Sequence, residues 1–199
     1  MTGTAQAKAI SFTPEILRLK LAALAKYGTA QTRRPIPDGW WRCTEPDDFG
    51  PDGELAAAEY CPFGKPGSLL WVRERARILA FSAAMESVRL RYEVDGAESD
   101  FVPFPDRLTN PGVGRCIANG VHREGARHFW RVTEVRMQRA CDISEADALA
   151  EGFEASIDQF DGHYTLTARE LFRAVFDGLY GPDAWEQWVW AISFEVRHG

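Results

Sequence analysis

Trp188, Trp190, Ile192, Phe194 and Val196 form an unbroken apolar row at every second position. A side-chain period of two belongs to an extended strand, so this row commits the end of the chain to a β-sheet with a face against a core. HFWRVTEVRMQR alternates in the same way, with Phe129, Arg131, Thr133, Val135 and Met137 on one side. SLLWVRERARI reads as a strand, buried at first and alternating later, with Trp71 on Leu69's face and therefore in the core. RLRYEVDG reads as another strand, closing at the Asp95-Gly96 turn.

Helices frame these strands. Thr13 followed by Pro14 and Glu15 is a helix start, with threonine as N-cap and proline where its missing N–H costs nothing. The helix should run to about Tyr27, with Leu17, Leu21 and Leu24 on one face and Gly28 at a left-handed C-cap. Ser144 with Asp147 marks a second helix that Gly152 stops after Glu151. Thr167 with Glu170 marks a third, with an apolar stripe of Leu171, Phe172, Val175, Phe176 and Leu179 and an end at Gly181-Pro182.

This order predicts a mixed α+β fold, and short strands at uneven spacing favour a small β-barrel with flanking helices over a doubly wound sheet. A chain of 199 residues suits one domain. Its expected bounds are 10–199, after a disordered N-terminus over residues 1–9. Residues 35–67, rich in Pro, Gly and Asp, read as a long loop excursion of the functional or family-specific kind. PGVGR at 111–115 lacks the strand–helix setting of a phosphate loop.

The formal charge is −6, unevenly spread: residues 1–44 hold seven Lys/Arg against two acids, and residues 140–199 hold twelve acids against three Arg. That balance excludes a protein that coats long duplex nucleic acid, which needs many cations on one face. A nucleoside, a short strand or a protein partner stays open. Cys43, Cys61, Cys116 and Cys141 are widely spaced without a C-x-x-C pair, and read as reduced thiols. Cys43 and Cys61 with His122 or His128 lack zinc-ligand spacing, so neither a metal nor a cofactor is expected. The N-terminus has no secretory pattern, and no run approaches the ~20 apolar residues of a membrane span, so a cytoplasmic location is expected, in a bacterial cell or a phage-infected host.

Four blocks in order, QTRRPI, CPFGKPGSLLWVRE, RVTEVRMQRACDISEADALAEGF and LFRAVFDGLYG with WVWAISFE, resemble the phage and prophage branch of the ASCH-domain proteins over roughly residues 10–196. The resemblance implies a PUA-like barrel. Simple members of that family carry Gly-Arg-Lys-Thr-x-Thr-x-Arg after the first helix, and one subgroup hydrolyses N4-acetylcytidine with the motif lysine, its second threonine and a later glutamate. Carried over, Thr32 stands at the reactive threonine, Arg34 at the motif arginine and Glu151 at the glutamate. Thr29 stands where the lysine should be. A threonine hydroxyl needs a base to become a nucleophile, and a buried lysine of lowered pKa suits that task. Lys26 is a weak substitute, about one helical turn too early. Lys20 and Lys65 are the other lysines that could reach.

The expected function is therefore binding of a nucleoside or short single-stranded nucleic acid, RNA above all, with weak or absent catalysis. Thr29, Arg33, Arg34, Trp71, Arg73 and Glu74 are the expected ligand-binding residues, since guanidinium groups grip phosphate or stack on a base. Thr32, Glu151 and Lys26 are the catalytic candidates. The plain alternative for Thr32 and its arginines is a loop whose arginines pair with acids such as Asp47 or Glu74. Arg73, beside the core row, needs a partner, and Glu151 or a ligand phosphate is a candidate. Arg123 and Arg127 read as solvated loop charges. Two other functions stay open. One is an amidohydrolase on N4-acylated cytidine or a ribonuclease, and the other a phage interaction module using the acidic C-terminal region on a basic host or virion partner.

Overall fold

The protein is described from a computed structural model, covering residues 7–37, 60–104, 112–117, 120–154, 156–157 and 164–197. Most of the 35–67 excursion, with Cys43 and Asp47, lies outside the described residues. The chain divides into two compact units, each assembled from two stretches: Met1–Arg18 with Leu69–Trp130, and Leu19–Ser68 with Arg131–Gly199.

In the first unit, β1 (Lys8–Ser11) runs parallel to β3 (Leu69–Arg73), with Ile10 opposite Val72. Strand β1 thus begins two residues before the expected domain start at residue 10. Helix α1 (Pro14–Tyr27) begins here, with Thr13 Oγ1 accepting from the Ile16 N–H at 3.4 Å. SLLWVRERARI is two strands rather than one. After β3 the chain turns Glu74 inward, and a second, antiparallel sheet starts with β4 (Ala76–Ser82), β5 (Ser87–Tyr92) and β6 (Val102–Pro103). The phase of β3 is also the reverse of the expected one. Leu70 and Val72 are buried, while Leu69, Trp71 and Arg73 are half-buried. The Arg73 guanidinium lies 5.8 Å from the Trp71 ring centre, an arrangement suited to a face with access to water rather than to a core.

In the second unit, β2 (Thr29–Pro35) pairs antiparallel with β10 (Trp188–Val196), Thr32 opposite Ile192 and Arg33 opposite Ala191. TAQTRRP is therefore a sheet strand, not a loop after a helix exit. Strand β10 is buried on both faces from Val189 to Phe194. Strand β7 (Phe129–Arg139) begins with the last two residues of the first unit and continues in the second. Its buried phase switches from Trp130 and Val132 to Val135 and Met137, so the expected single row holds only for its second half.

Helices α2 (Glu145–Ala150) and α3 (Ala168–Tyr180), with the hairpin β8 (Ser156–Ile157) and β9 (Tyr164–Leu166), complete this unit. Thr167 and Glu170 form both halves of a capping box. Ala168, Phe172 and Phe176 pack with Phe153, Trp185 and Val189 in one cluster, while Leu179 lies half exposed beyond the stripe. The fold is mixed α+β, and no sheet among the described residues closes on itself. Cys116 and Cys141 are free thiols, and no described helix is long and apolar enough to cross a membrane.

Candidate functional site

Helix α1 carries Leu17, Lys20, Leu21 and Leu24 along one face, so Lys20 enters the interior with the leucines on either side of it. It is 1% exposed, and Leu17 and Leu24 are buried with it. Gly28, at φ +74°, then turns the chain into β2. In β2 side chains alternate, which sends Arg33 to one face with Gln31 and sends Thr32 with Arg34 to the other.

Helix α2 delivers the acids. Ser144 caps it by accepting from the Asp147 N–H at 3.0 Å, and Glu151 is its C-cap. Gly152 follows at φ +94°, against the carbonyl of Leu19. A Cβ there would lie 2.7 Å from the Leu19 carbonyl carbon. Only glycine permits both the left-handed backbone and this approach, and the approach brings Glu151 to Lys20.

The resulting cluster is dense in charge and almost dry. Lys20 Nζ donates to the Glu151 carboxylate through Oε2 and to the Glu151 backbone carbonyl at 2.7 Å. Arg33 Nη1 donates to Glu151 Oε1 at 3.0 Å, and Arg33 Nη2 pairs with Asp147 Oδ2 at 3.1 Å. Asp147 in turn holds Arg136 Nη2 at 2.9 Å, and Arg136 Nε meets Glu134 at 3.4 Å. Charge thus passes in alternating sign from the interior, Lys20 and Glu151, to a half-exposed rim at Asp147 and Arg136. The Arg33 guanidinium lies 5.7 Å from the Phe172 ring and Lys20 Nζ lies 6.0 Å from that of Phe153, so aromatic faces enclose the buried end.

Burial pushes the Lys20 ammonium below its usual pKa. Glu151 opposes that shift, and Arg34 and Arg33 reinforce it. Arg34 therefore acts on the same site, with its guanidinium 5.9 Å from the Phe63 ring. For Asp147 burial raises the pKa, but the hydrogen bond from Arg136 and the charge of Arg33 outweigh it and hold the carboxyl low. Two cations, Lys20 and Arg33, thus share one carboxylate that is 2% exposed, and Arg34 adds to the positive field on Lys20.

Of the expected site residues, Arg33 and Glu151 meet directly. Thr32 is buried next to Arg33 in the strand, on the alternate face. Thr29 is exposed at the start of β2. Lys26 bonds Glu154 at 2.6 Å at the surface, and Lys65 is exposed in the turn before β3. The lysine at Glu151 is Lys20. Asp147 and Arg136 complete the cluster; the sequence marks Asp147 only as the partner of Ser144 at a helix start, and no motif points to Arg136. The signal for Lys20 is its position inside a leucine stripe, where a solvated lysine has no reason to be.

Trp71, Arg73 and Glu74 belong to the first unit, where a second buried carboxylate stands. Glu74 is fully buried and accepts two bonds from Arg127, Nε at 3.2 Å and Nη2 at 2.6 Å. Arg127 also reaches Asp95 at 2.9 Å and stacks 3.8 Å from the Tyr92 ring centre. It is a structural clamp rather than a solvated loop charge, because a buried carboxylate demands a bidentate partner. Arg73 packs on the Trp71 ring, while the arginine on Glu151 is Arg33. Among the described residues no group of His, Cys, Asp and Glu is arranged to hold a metal ion.

Comparison of the chain with protein-family models, with curated proteins and with solved structures finds no match in any of the three.

Proposed function

We propose that this chain is a PUA-like domain of the ASCH type, of the phage and prophage branch, and that it binds a nucleoside or short single-stranded nucleic acid in the second unit. The observation that supports this reading is the Lys20–Glu151–Arg33 cluster with Arg34 beside it. A protein interior holds so many ionised groups together at a cost in stability, and ionisable groups so perturbed concentrate where ligands bind. The ligand meets the cluster from its wetter rim, at Gln31, Asp147 and Arg136. A cytosine base offers an exocyclic amine that a carboxylate accepts, and guanidinium groups bind its carbonyl or a phosphate. Fluorescence titration with cytidine and with short RNA and DNA oligomers tests the reading. Saturable binding weakened by Arg33→Gln is expected, and a flat titration for every ligand defeats it.

A second reading, an amidohydrolase on N4-acylated cytidine, gains from one contact. Lys20, its proton affinity lowered by burial, rests on Glu151 and so supplies the amine that Thr29 lacks. In that reaction the Thr32 hydroxyl attacks the acyl carbonyl while Lys20, in its neutral form, takes the hydroxyl proton and passes it to the departing cytosine nitrogen. The cytosine amine leaves protonated, and water then frees the acid. A chromatographic assay for cytidine release decides it: activity must be present and must vanish in both Thr32→Val and Lys20→Met.

A further inference from the structure

In the first unit, the β4–β5 hairpin turns a face rich in arginine to solvent. Arg77 stands directly opposite Arg91, Arg89 stands opposite Ala80, and Arg75 accepts from the Glu93 N–H at 2.9 Å through its carbonyl. The side chains of Arg75, Arg77, Arg89 and Arg91 are 44–55% exposed. Like charges directly opposite in an antiparallel pair destabilise a sheet, so Arg77 facing Arg91 is a cost that packing does not explain. Two glutamates offset it in part. Glu93 meets Arg75 and Arg77, each at 3.3 Å, and Glu98 meets Arg89 at 3.1 Å and Arg91 at 2.6 Å. Four guanidinium groups against two carboxylates leave a surplus of two positive charges. Each guanidinium has five N–H donors, and these contacts use only a few of them.

The imbalance extends to the unit. Its stretches hold eleven Lys/Arg against nine Asp/Glu, whereas those of the second unit hold twelve against twenty. A chain of net charge −6 therefore keeps a basic unit, and that unit displays its arginines in register on one hairpin.

We infer that this arginine face of β4 and β5 binds the phosphodiester backbone of single-stranded nucleic acid. Planar forks suit phosphate oxygens, and successive arginines on one strand face stand about 6.6 Å apart. The arginines span roughly 13 Å, enough for a few phosphates and too short to neutralise a long duplex. The surface shares no residue with the Lys20–Glu151 cluster.

Fluorescence anisotropy with a labelled oligouridylate of about twelve nucleotides tests the inference across a salt series. The Arg77→Gln/Arg91→Gln variant should bind at least about tenfold more weakly, and its log–log salt slope should be shallower by about 0.7 for each phosphate it no longer neutralises. Arg131→Gln/Arg173→Gln removes the same charge from exposed positions of the second unit and should bind as the wild type does. Should the first variant fail to fold, Arg75→Gln/Arg89→Gln carries the same expectation. Unchanged affinity and slope, equal weakening by the control pair, or no binding of the oligomer by the wild type at low salt would overturn the inference. A cytidine titration keeps it apart from the nucleoside site. Oligomer binding sensitive to Arg77 and Arg91, with no cytidine binding, removes the nucleoside proposal and leaves this one standing.

Discussion

Glu151 accepts from Lys20 and Arg33 in surroundings with almost no water, so each of these three groups is costly without the others. Removing one partner leaves charge buried and unpaired. Glu151→Ala should lower the unfolding free energy by about 3–5 kcal/mol, measured by urea denaturation. Lys20→Met combined with Glu151→Leu should recover more than half of that loss, because apolar groups of similar size replace a buried pair at little cost. A single-variant cost under about 1 kcal/mol would place the cluster in water and contradict the geometry. The same burial sets a pH dependence. The folded pKa of Lys20 lies below its unfolded value of 10.5, so the unfolded chain binds the proton more tightly. Between the two values stability rises with pH, and below the folded value the full penalty stands. The stability difference between wild type and Lys20→Met should therefore shift toward the wild type as pH rises toward 10.5. A difference independent of pH in that window would show an unshifted lysine.

Helix ends and turns decide which side chains meet. Gly152 holds a left-handed backbone against the Leu19 carbonyl, whereas Gly178, near the end of α3, has open space where a Cβ would go. Gly152→Ala should cost at least about 1–3 kcal/mol and loosen Glu151 from Lys20, while Gly178→Ala should stabilise by about 0.5–1 kcal/mol. Thermal unfolding of the two variants checks both signs, and equal effects would defeat the argument. Elements governed by local chemistry are legible in the sequence. Thr13-Pro14 opens α1, Thr167 and Glu170 cap α3, and the row from Trp188 to Val196 marks β10. Strand β2 is not legible, because Thr32 and Arg33 are buried through tertiary pairing and break the apolar alternation on which strand reading depends. The phases of β3 and β7 escape a local reading for a related reason. Apolar residues stand at adjacent positions there, Leu69 beside Leu70 and Phe129 beside Trp130, so alternation alone does not choose the inner face.

Two interleaved units, each made from distant stretches, follow from long-range contacts that no local pattern encodes. Their charge asymmetry is visible in outline along the chain, as basic residues before position 45 and acids after position 140, but the division into a basic and an acidic unit cuts across that order. Among the described residues the clusters around Glu74 and Glu151 share no ion-pair partner, so substitutions in one should act independently of the other. Glu74→Gln, which removes the buried charge that Arg127 forks, should lower stability yet change cytidine affinity by no more than about twofold. A larger loss of affinity would mean that the nucleoside site is not contained in the second unit. Calorimetric titration of cytidine into wild type and Glu151→Gln, both folded by circular dichroism, bears most directly on the central claim. Saturable binding by the wild type and at least about tenfold weaker binding by the variant are predicted; a wild type that does not bind, or a variant that binds equally well, would contradict it.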